Sequence, residues 1–409
     1  RRVTLSVSVV IVSHGRPDAL SLCLTGVGQL DYPNFEIVVV ADSTGVSAVK
    51  AHPHSAQIKL VPFETPNISA ARNAGIAASG GEIVAFIDDD AVPEPTWLTY
   101  LIGPFSDGQI AAAGGYVIGR NGISFQWKGR TVDVEAQTED LPLPADDPLV
   151  FGGTPVRAIK TEGTNMAVRR NVLAALGGFD PAFHFYLDET DLNMRLGQAE
   201  HRTAIVPLAQ VHHGFAESER RFANRVPRDL RQIGASLAVY LRKHDGDLGR
   251  RVPERAVQLE RLKKHQAAGR LTAADVAGLM NGFDAGWADG LSRSFGAKTV
   301  FPLSDFAAFV GQMTADRRVI TGRFWQRRRK MAFAKAAVNN GQHVTVILLS
   351  LTARRHRVAF TKDGVWLQTG GQFGQSNRSE PRIQFWRASS RFQYEKMRVL
   401  QVRYASPCG

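Results

Sequence analysis

Three consecutive carboxylates, Asp88, Asp89 and Asp90, follow a mostly apolar stretch at residues 82–87. That stretch is typical of a buried strand, so the acidic side chains lie where the chain leaves the core. Successive side chains of an extended chain point to opposite faces, which puts Asp88 and Asp90 on one side and Asp89 on the other. Carboxylates this close repel each other unless a cation or protons lie between them. Oxygen ligands on a short open turn suit Mg²⁺ or Mn²⁺, whereas the alternative is an Asp-rich turn that caps the next helix.

A second acidic cluster comes immediately before a helical pattern and contains Asp188, Glu189 and Asp191. Such a cluster can simply complement a helix dipole. Arg195 lies one turn beyond Asp191, so we expect these two residues to form an ion pair. Asp188 and Glu189 then remain as two candidates for a general base.

The elements around the first cluster predict an α/β fold. Strand-like segments at residues 6–13, 35–41 and 82–87 lack polar alternation and are separated by helical patterns, which indicates a mostly parallel sheet covered by helices on both faces. Ligands of such sheets bind beyond the carboxyl ends of the strands. Because Asp42 follows one strand and Asp88 ends another, we expect both in one crevice.

Composition and charge divide the chain. The protein has 409 residues, and its two cysteines, Cys23 and Cys408, offer no disulfide framework. Its apolar runs are too short to span a bilayer. Together these two observations predict a cytoplasmic protein. Residues 1–215 contain 15 basic residues (Lys and Arg) and 23 acidic ones (Asp and Glu), whereas the remainder contains 35 basic and 15 acidic residues. This imbalance predicts an anion-binding surface in the second half, for anionic lipid, an acidic glycan or nucleic acid. Nucleic acid ranks last because no base-reading motif is present.

We predict three regions: an α/β domain over 1–215, a basic, mainly helical region over 216–330, and a small α/β unit over 331–409. The helical region includes a capping box at Thr272 and Asp275. The basic stretch at 325–330 is either a solvated helical face or a contact with anionic lipid at the inner face of the plasma membrane.

The first 215 residues resemble the family 2 glycosyltransferases, which have the Rossmann-like GT-A fold and use nucleotide sugars. The resemblance rests on an ordered set of motifs: Ser6 to Arg16, Val38 to Ser43, Asn67 to Gly75, the three aspartates, Glu162 to Ala167, Gly177 to Asp180 and Leu187 to Leu196. No such resemblance covers residues 216–409.

The resemblance assigns roles to single residues. It implies a divalent ion, Mn²⁺ or Mg²⁺, held by Asp90 and by a histidine, for which His212 is the predicted residue. The donor would contact Ser13, Asp42, Arg72, Asp88 and Asp89, and the acceptor would contact Thr164, Asn165 and Asp191. Glu189 is the implied base and Asp188 is its competitor, since the order of the two acids is the reverse of the family's usual one.

The sequence therefore predicts a metal-dependent, inverting hexosyltransferase of polysaccharide biosynthesis in the cell envelope. We expect it to use a nucleotide sugar, a UDP-sugar before others, and to act on a glycan or lipid-linked acceptor. Two alternatives are a nucleotidyltransferase that makes nucleotide sugars, and a polysaccharide-binding or scaffold protein with a degenerate transferase domain. The first usually has a Gly-rich basic loop after its first strand, of which Ser13 to Arg16 is a poor version.

Overall fold

The computed structural model describes residues 4–143, 146–214, 217, 220–311 and 316–404. A mixed α/β unit comes first, followed by a group of helices and then by a small second α/β unit. The predicted α/β fold class, with a helical extension and a C-terminal α/β unit, is confirmed.

The first unit alternates strands and helices. Its strands are β1 (Val7–Ser13), β2 (Phe35–Ala41), β3 (Ile58–Pro62), β4 (Ile83–Asp88), β5 (Ala91–Pro93), β6 (Ile110–Ile118), β7 (Phe125–Trp127), β8 (Arg130–Asp133), β9 (Thr138–Asp140), β10 (Leu149–Gly152), β11 (Arg157–Lys160), β12 (Met166–Arg169) and β13 (Arg202–His213). Its helices are α1 (Pro17–Val27), α2 (Ser43–Ala51), α3 (Ile68–Ala78), α4 (Trp97–Ile102), α5 (Arg170–Leu176) and α6 (Asp188–Gln198).

The main sheet has the strand order β10-β13-β6-β12-β4-β1-β2-β3, with β5 added to β13 and β7 to β6. β1 pairs in parallel with both β2 and β4, whereas β12 is antiparallel to both of its neighbours. The carboxyl ends of β1, β2 and β4 therefore meet at one edge of the sheet, where Ser13, Asp42 and Asp88 emerge.

Helices cover both faces of the sheet, which explains why its strands carry no polar alternation. Val9 and Ile11 of β1 pack into a core with Leu20 and Leu24 of α1. Val10, between them, points the other way and packs against Ile76 of α3 and its neighbours. Fixed on both faces, this part of the sheet is a rigid base for the loops at its edge.

The helical region consists of α7 (Arg231–Lys243), α8 (Arg251–Ala267) and α9 (Ala273–Ser292). The predicted capping box begins α9: the Thr272 hydroxyl accepts from the Asp275 amide, and the Asp275 carboxylate accepts from the Thr272 amide. Glycines let α7 and α9 approach closely, because a Cβ on Gly286 would lie 1.8 Å from the Arg231 carbonyl oxygen. The apolar side of this helix pair packs against Val132, Ala158 and Met194.

After α9 the chain returns to the first unit without regular structure. Glu36, buried in β2, accepts a hydrogen bond from the Ala307 amide at 2.8 Å, and Phe309 packs into the core beside Phe35. This return segment therefore packs against β2 between the helical region and the last unit.

The last unit contains β14 (Arg317–Arg323), α10 (Arg327–Asn339), β15 (His343–Ser350), β16 (Arg357–Phe360), β17 (Val365–Gly371) and α11 (Ala388–Arg403). Its sheet has the order β14-β15-β17-β16, with α10 on one face and α11 on the other. The unit includes β14 and so begins before residue 331, where we predicted its start. Within the described ranges, no helix combines the length and apolar character that crossing a bilayer requires.

Candidate active site

Two carboxylates and an imidazole converge where β4 and β13 end. Asp88 is the last residue of β4, His213 the last of β13, and Asp90 follows in the turn after β4. One ligand atom from each of these residues lies within 4.8 Å of the others. His213 Nε2 is 3.2 Å from Asp90 Oδ1, and the other ring nitrogen is 3.3 Å from Gln126 Oε1. Two hard oxygen donors and one imidazole are a suitable ligand set for a divalent ion of the Mn²⁺ type.

Arginine side chains surround the same carboxylates. Asp90 Oδ2 lies 3.3 Å from both Arg16 and Arg221, and Asp88 lies 3.3 Å from Arg72. The edge of the sheet therefore presents alternating positive and negative groups within one small volume. Such an arrangement can bind a cation and a polyanion side by side.

Asp89 has a different environment from Asp88 and Asp90. It is fully buried, accepts a hydrogen bond from Ser13 Oγ at 2.6 Å, and pairs with Arg16. These contacts connect β4 to β1 and to the loop after it. Asp89 thus holds Arg16 and Ser13 in place.

Arg72 connects the two acidic clusters. This α3 residue is 4% exposed and forms ion pairs with Asp88, at 3.3 Å, and with Asp188. Burial opposes its charge, but the two carboxylates outweigh that effect and raise the pKa of Arg72. A Cβ on Gly163 would lie 2.5 Å from Arg72 Nη2, so a side chain at this position would displace the guanidinium. One guanidinium thus places the start of α6 beside the end of β4.

Glu189 is the partly accessible member of the cluster at the start of α6. Its side chain is 17% exposed, against 3% for Asp188. Lys160 Nζ lies 2.9 Å from Glu189 Oε1, and Thr190 donates to the same oxygen at 3.2 Å. Burial opposes ionisation of Glu189, but the charges of Lys160 and Arg72 outweigh it and lower its pKa to about 2. Glu189 is therefore ionised at neutral pH.

Asp191 is buried among cations, away from the opening where Glu189 lies. It pairs with Arg195 at 2.8 Å, with Lys243 at 2.9 Å and with His244 at 3.0 Å. The ion pair with Arg195 agrees with the sequence prediction. The contacts of Asp191 with Lys243 and His244 join α6 to the end of α7, and the acceptor contact predicted for Asp191 stays a prediction.

Asn165 also has a structural place in this fold. It is fully buried; Trp97 Nε1 donates to its Oδ1 at 2.8 Å, and its amide donates to the carbonyl oxygens of Tyr116 and Ala209. Both ends of the Asn165 amide are therefore hydrogen-bonded inside the core, and the acceptor contact predicted for Asn165 stays a prediction. The hydroxyl of Thr164 is buried and has no hydrogen-bond partner among the described residues.

Asp42 lies at the expected edge and caps a helix there. Its Oδ1 accepts from the Gly45 amide and from the Thr44 hydroxyl, both at 2.9 Å, which caps α2, while Oδ2 accepts from the Gly15 amide at 2.9 Å. Burial opposes its charge, but these hydrogen bonds lower the pKa of Asp42. The predicted contact of Asp42 with the donor stays a prediction.

Residues 8–174 match the family model Glycosyl transferase family 2. They belong to that family. The N-terminal half resembles the glucosyl-dolichyl phosphate glucuronosyltransferase of Haloferax volcanii, with 28% identity over 232 residues that cover 53% of this chain and 72% of that protein. It also resembles the pre-mycofactocin glycosyltransferase of Mycobacterium tuberculosis, with 28% identity over 40% of this chain and 31% of that one. The latter match spans about a third of the relative's length.

Among solved structures, the chain is similar to mannosyltransferase PcManGT from Pyrobaculum calidifontis in complex with GDP-Man and Mn²⁺. The identity is 18% and the TM-score 0.44, over 71% of this chain and 88% of that one. The family match confirms the resemblance that the motifs of the first 215 residues indicated.

His212, the predicted metal ligand, lies on the other face of β13 in this transferase domain. Its Nε2 is 2.7 Å from Glu94 Oε1, and its ring packs on Trp366 of the last unit at 4.8 Å. Glu94 in turn binds Arg403 of α11, with contacts of 2.6 and 2.7 Å. The structure therefore brings His213 to the aspartates and places His212 at the contact between the transferase domain and the last unit.

Three site residues escaped the sequence reasoning: His213, Lys160 and Arg221. The His212-His213 pair itself signalled a histidine at this place, but not which one faces the aspartates. Lys160 and Arg221 stand outside the recognised motifs, and their contacts to Glu189 and Asp90 come from segments distant in sequence.

Proposed function

We propose that the chain is an inverting, metal-assisted glycosyltransferase that moves a sugar from a nucleotide-sugar donor to a hydroxyl of a glycan or lipid-linked acceptor. The observation that carries this proposal is the double ion pair of Arg72 with Asp88 and Asp188. Through the Arg72 side chain, the carboxylates that suit a metal ion lie next to the carboxylates that suit a general base. The family match favours a transferase over the nucleotidyltransferase alternative.

On the donor side, Asp88, Asp90 and His213 would hold Mn²⁺ or Mg²⁺. Their ligand atoms lie within 4.8 Å of one another, and two of the three residues are buried, so the group fits a single ion. When bound, the ion would neutralise charge on the leaving nucleoside diphosphate. Arg16 and Arg221, which contact Asp90, are placed to bind phosphate oxygens, and Asp42, beyond β2, is proposed to bind the nucleoside.

On the acceptor side, Glu189 would take the proton from the attacking hydroxyl. It is ionised at neutral pH because Lys160 and Arg72 stabilise its charge. Asp188 is nearly inaccessible and already paired with Arg72, so it would position Arg72 rather than remove a proton. A base that activates the acceptor for direct attack leads to inversion at the anomeric carbon. Thr164, with its unused hydroxyl, remains the proposed acceptor contact.

We also propose that the protein works in the cytoplasm, peripherally bound to anionic membrane. Phe324, Trp325 and Phe333 are exposed around α10, next to a run of cations at Arg327, Arg328 and Arg329. Exposed aromatic groups beside arginines suit the interface of an anionic bilayer. A lipid-linked acceptor of cell-envelope polysaccharide would be presented at such a surface.

The test is a panel of UDP- and GDP-sugars incubated with the full chain and Mn²⁺ or Mg²⁺, with the released nucleoside diphosphate measured by mass spectrometry. We expect metal-dependent release from one donor, loss of release in Asp90→Asn, and no loss in the control Asp107→Asn, an exposed carboxylate in the turn before β6. The anomeric configuration of the product, read by NMR, should be opposite to that of the donor. If no donor is bound or turned over with either metal, the proposal is refuted.

A further inference from the structure

A cavity of about 670 Å³, apart from the candidate active site, lies between the transferase domain and the last α/β unit. Two hydrogen bonds join the turn between β6 and β7, on the transferase domain, to the last unit. The Val358 amide donates to the Asn121 carbonyl oxygen at 2.9 Å, and Arg378 Nε donates to Ser124 Oγ at 2.8 Å. A cavity of this size is within the range of roughly 300–1,000 Å³ typical of small-ligand sites.

The cavity has an excess of positive charge. Lys128, Arg378 and Arg398 line it, and in the described part of the chain neither Lys128 nor Arg378 forms an ion pair. Arg398 has one long contact, 3.5 Å, with Glu395, a carboxylate that Arg391 already binds at 3.0 Å.

The carboxylates of the lining do not balance these three cations. Glu94 is neutralised by Arg403, with which it makes two short contacts. Two other carboxylates line the cavity: Glu395, which Arg391 and Arg398 contact, and Asp146, which accepts a 3.5 Å hydrogen bond from Gln401. The unbalanced cations favour an anionic ligand.

An aromatic ring and several polar side chains complete the lining. Phe125 is 38% exposed, stands edge-on to Tyr116 at 5.2 Å, and has Lys128 Nζ 5.1 Å above its ring. Polar groups that can bind hydroxyls surround it, namely Gln210, Asn377, Ser379 and Gln401. An exposed aromatic ring, hydroxyl-binding groups and cations together match a sugar ring that carries an acidic group.

We propose that this cavity binds an acidic oligosaccharide, one whose sugar rings carry carboxylates. Lys128, Arg378 and Arg398 would bind the carboxylates, and a sugar ring would stack on Phe125. The site is separate from the proposed reaction centre, because His212 lines the cavity whereas His213, the next residue of β13, faces Asp88 and Asp90 on the other side of the strand. A glycan held there would keep the enzyme on its polymer between transfers.

The test measures binding of trigalacturonate to the full chain by calorimetry, with maltotriose as the neutral match and inorganic phosphate as the free anion. We expect trigalacturonate to bind, and the double variant Lys128→Ala/Arg378→Ala to bind it about tenfold or more weakly, because two charged contacts with its carboxylates are lost. Phe125→Ala should weaken binding as well. Arg328→Ala, an exposed arginine on α10, should not.

Because Lys128 and Arg378 are exposed, their removal should shift the thermal unfolding midpoint only slightly, and that midpoint, measured beside the affinity, separates lost binding from lost structure. Asp90→Asn should bind trigalacturonate as the natural chain does, so the result does not depend on the transferase proposal. The inference is overturned if trigalacturonate does not bind, if the double variant binds it equally well, or if maltotriose or phosphate binds as tightly. Loss of trigalacturonate binding in Asp90→Asn would also overturn it, because that result would locate the ligand at the reaction centre.

Discussion

Replacing Glu94 by glutamine should destabilise the protein by removing the charge that holds Arg403 against the transferase domain. Glu94 is 2% exposed, and its carboxylate contacts both Arg403 and His212. Burial raises the pKa of Glu94, but the charges of Arg403 and His212 and their hydrogen bonds outweigh it and lower that pKa from 4.5 to about 2. The side chain keeps its size in Glu94→Gln, so the measured effect reports the charge.

The pKa shift gives the expected magnitude and its pH dependence. A depression of about 2.5 units corresponds to about 3 kcal/mol of folding free energy. Because the folded-state pKa lies below the unfolded one, this stabilisation is complete above pH ~4.5 and is lost as the pH falls towards ~2. The difference in unfolding free energy between the natural chain and Glu94→Gln should therefore be about 1 kcal/mol smaller at pH ~3.5 than at neutral pH.

Urea unfolding at neutral pH and at the lower pH, followed by tryptophan fluorescence and by circular dichroism, measures both quantities. Fluorescence is informative here because Trp366 lies under Arg403, 4.0 Å from its guanidinium. Glu139→Gln is the control: this carboxylate also binds an arginine, at 3.1 Å, but is 70% exposed, so its loss should cost less than about 1 kcal/mol. A Glu94→Gln chain as stable as the natural one at neutral pH, or a difference that does not shrink with acid, would refute the reasoning.

Three further predictions concern activity. Glu189→Gln should lower kcat about 10³-fold with little change in the donor KM, measured with saturating metal; an unchanged kcat would exclude Glu189 as the base. Arg72→Lys, which keeps the charge but loses the double contact, should lower kcat/KM about 10²-fold in the same assay, and full activity would show that the bridge is dispensable. His213→Ala should raise the Mn²⁺ concentration for half-maximal rate about tenfold or more, whereas His212→Ala should chiefly lower the urea midpoint; the reverse pattern would assign the metal to His212.

Local chemistry was sufficient to predict much of the fold and of the site. Apolar strands without alternation predicted the parallel part of the sheet, and the exit of Asp42 and Asp88 at one edge follows from that topology. The Asp191–Arg195 pair and the capping box of α9 depend on spacing within one helix turn, which is readable from sequence. Features that span only a few residues, or that topology forces together, were the predictable ones.

Contacts between distant segments were not predictable in this way. The burial of Asn165 depends on Trp97, Tyr116 and Ala209, none of which is its neighbour in sequence. The choice between two adjacent histidines depends on strand register. β13 pairs with β6 in register from Thr203 to Val206 and resumes at Gln210, with an irregularity between these two stretches. Counting alternate residues along the sequence fails across such a bulge.

The same register links the last α/β unit to the reaction centre. Successive residues of β13 face opposite ways, so a slip of one residue would exchange His212 and His213. His212 is fixed against Glu94 and Trp366, and Glu94 is fixed by Arg403 at the end of α11. Any register that satisfies this buried ion pair also presents His213 to Asp90. Although none of the described residues of the last unit belongs to the proposed metal site, this unit helps to determine which histidine that site contains.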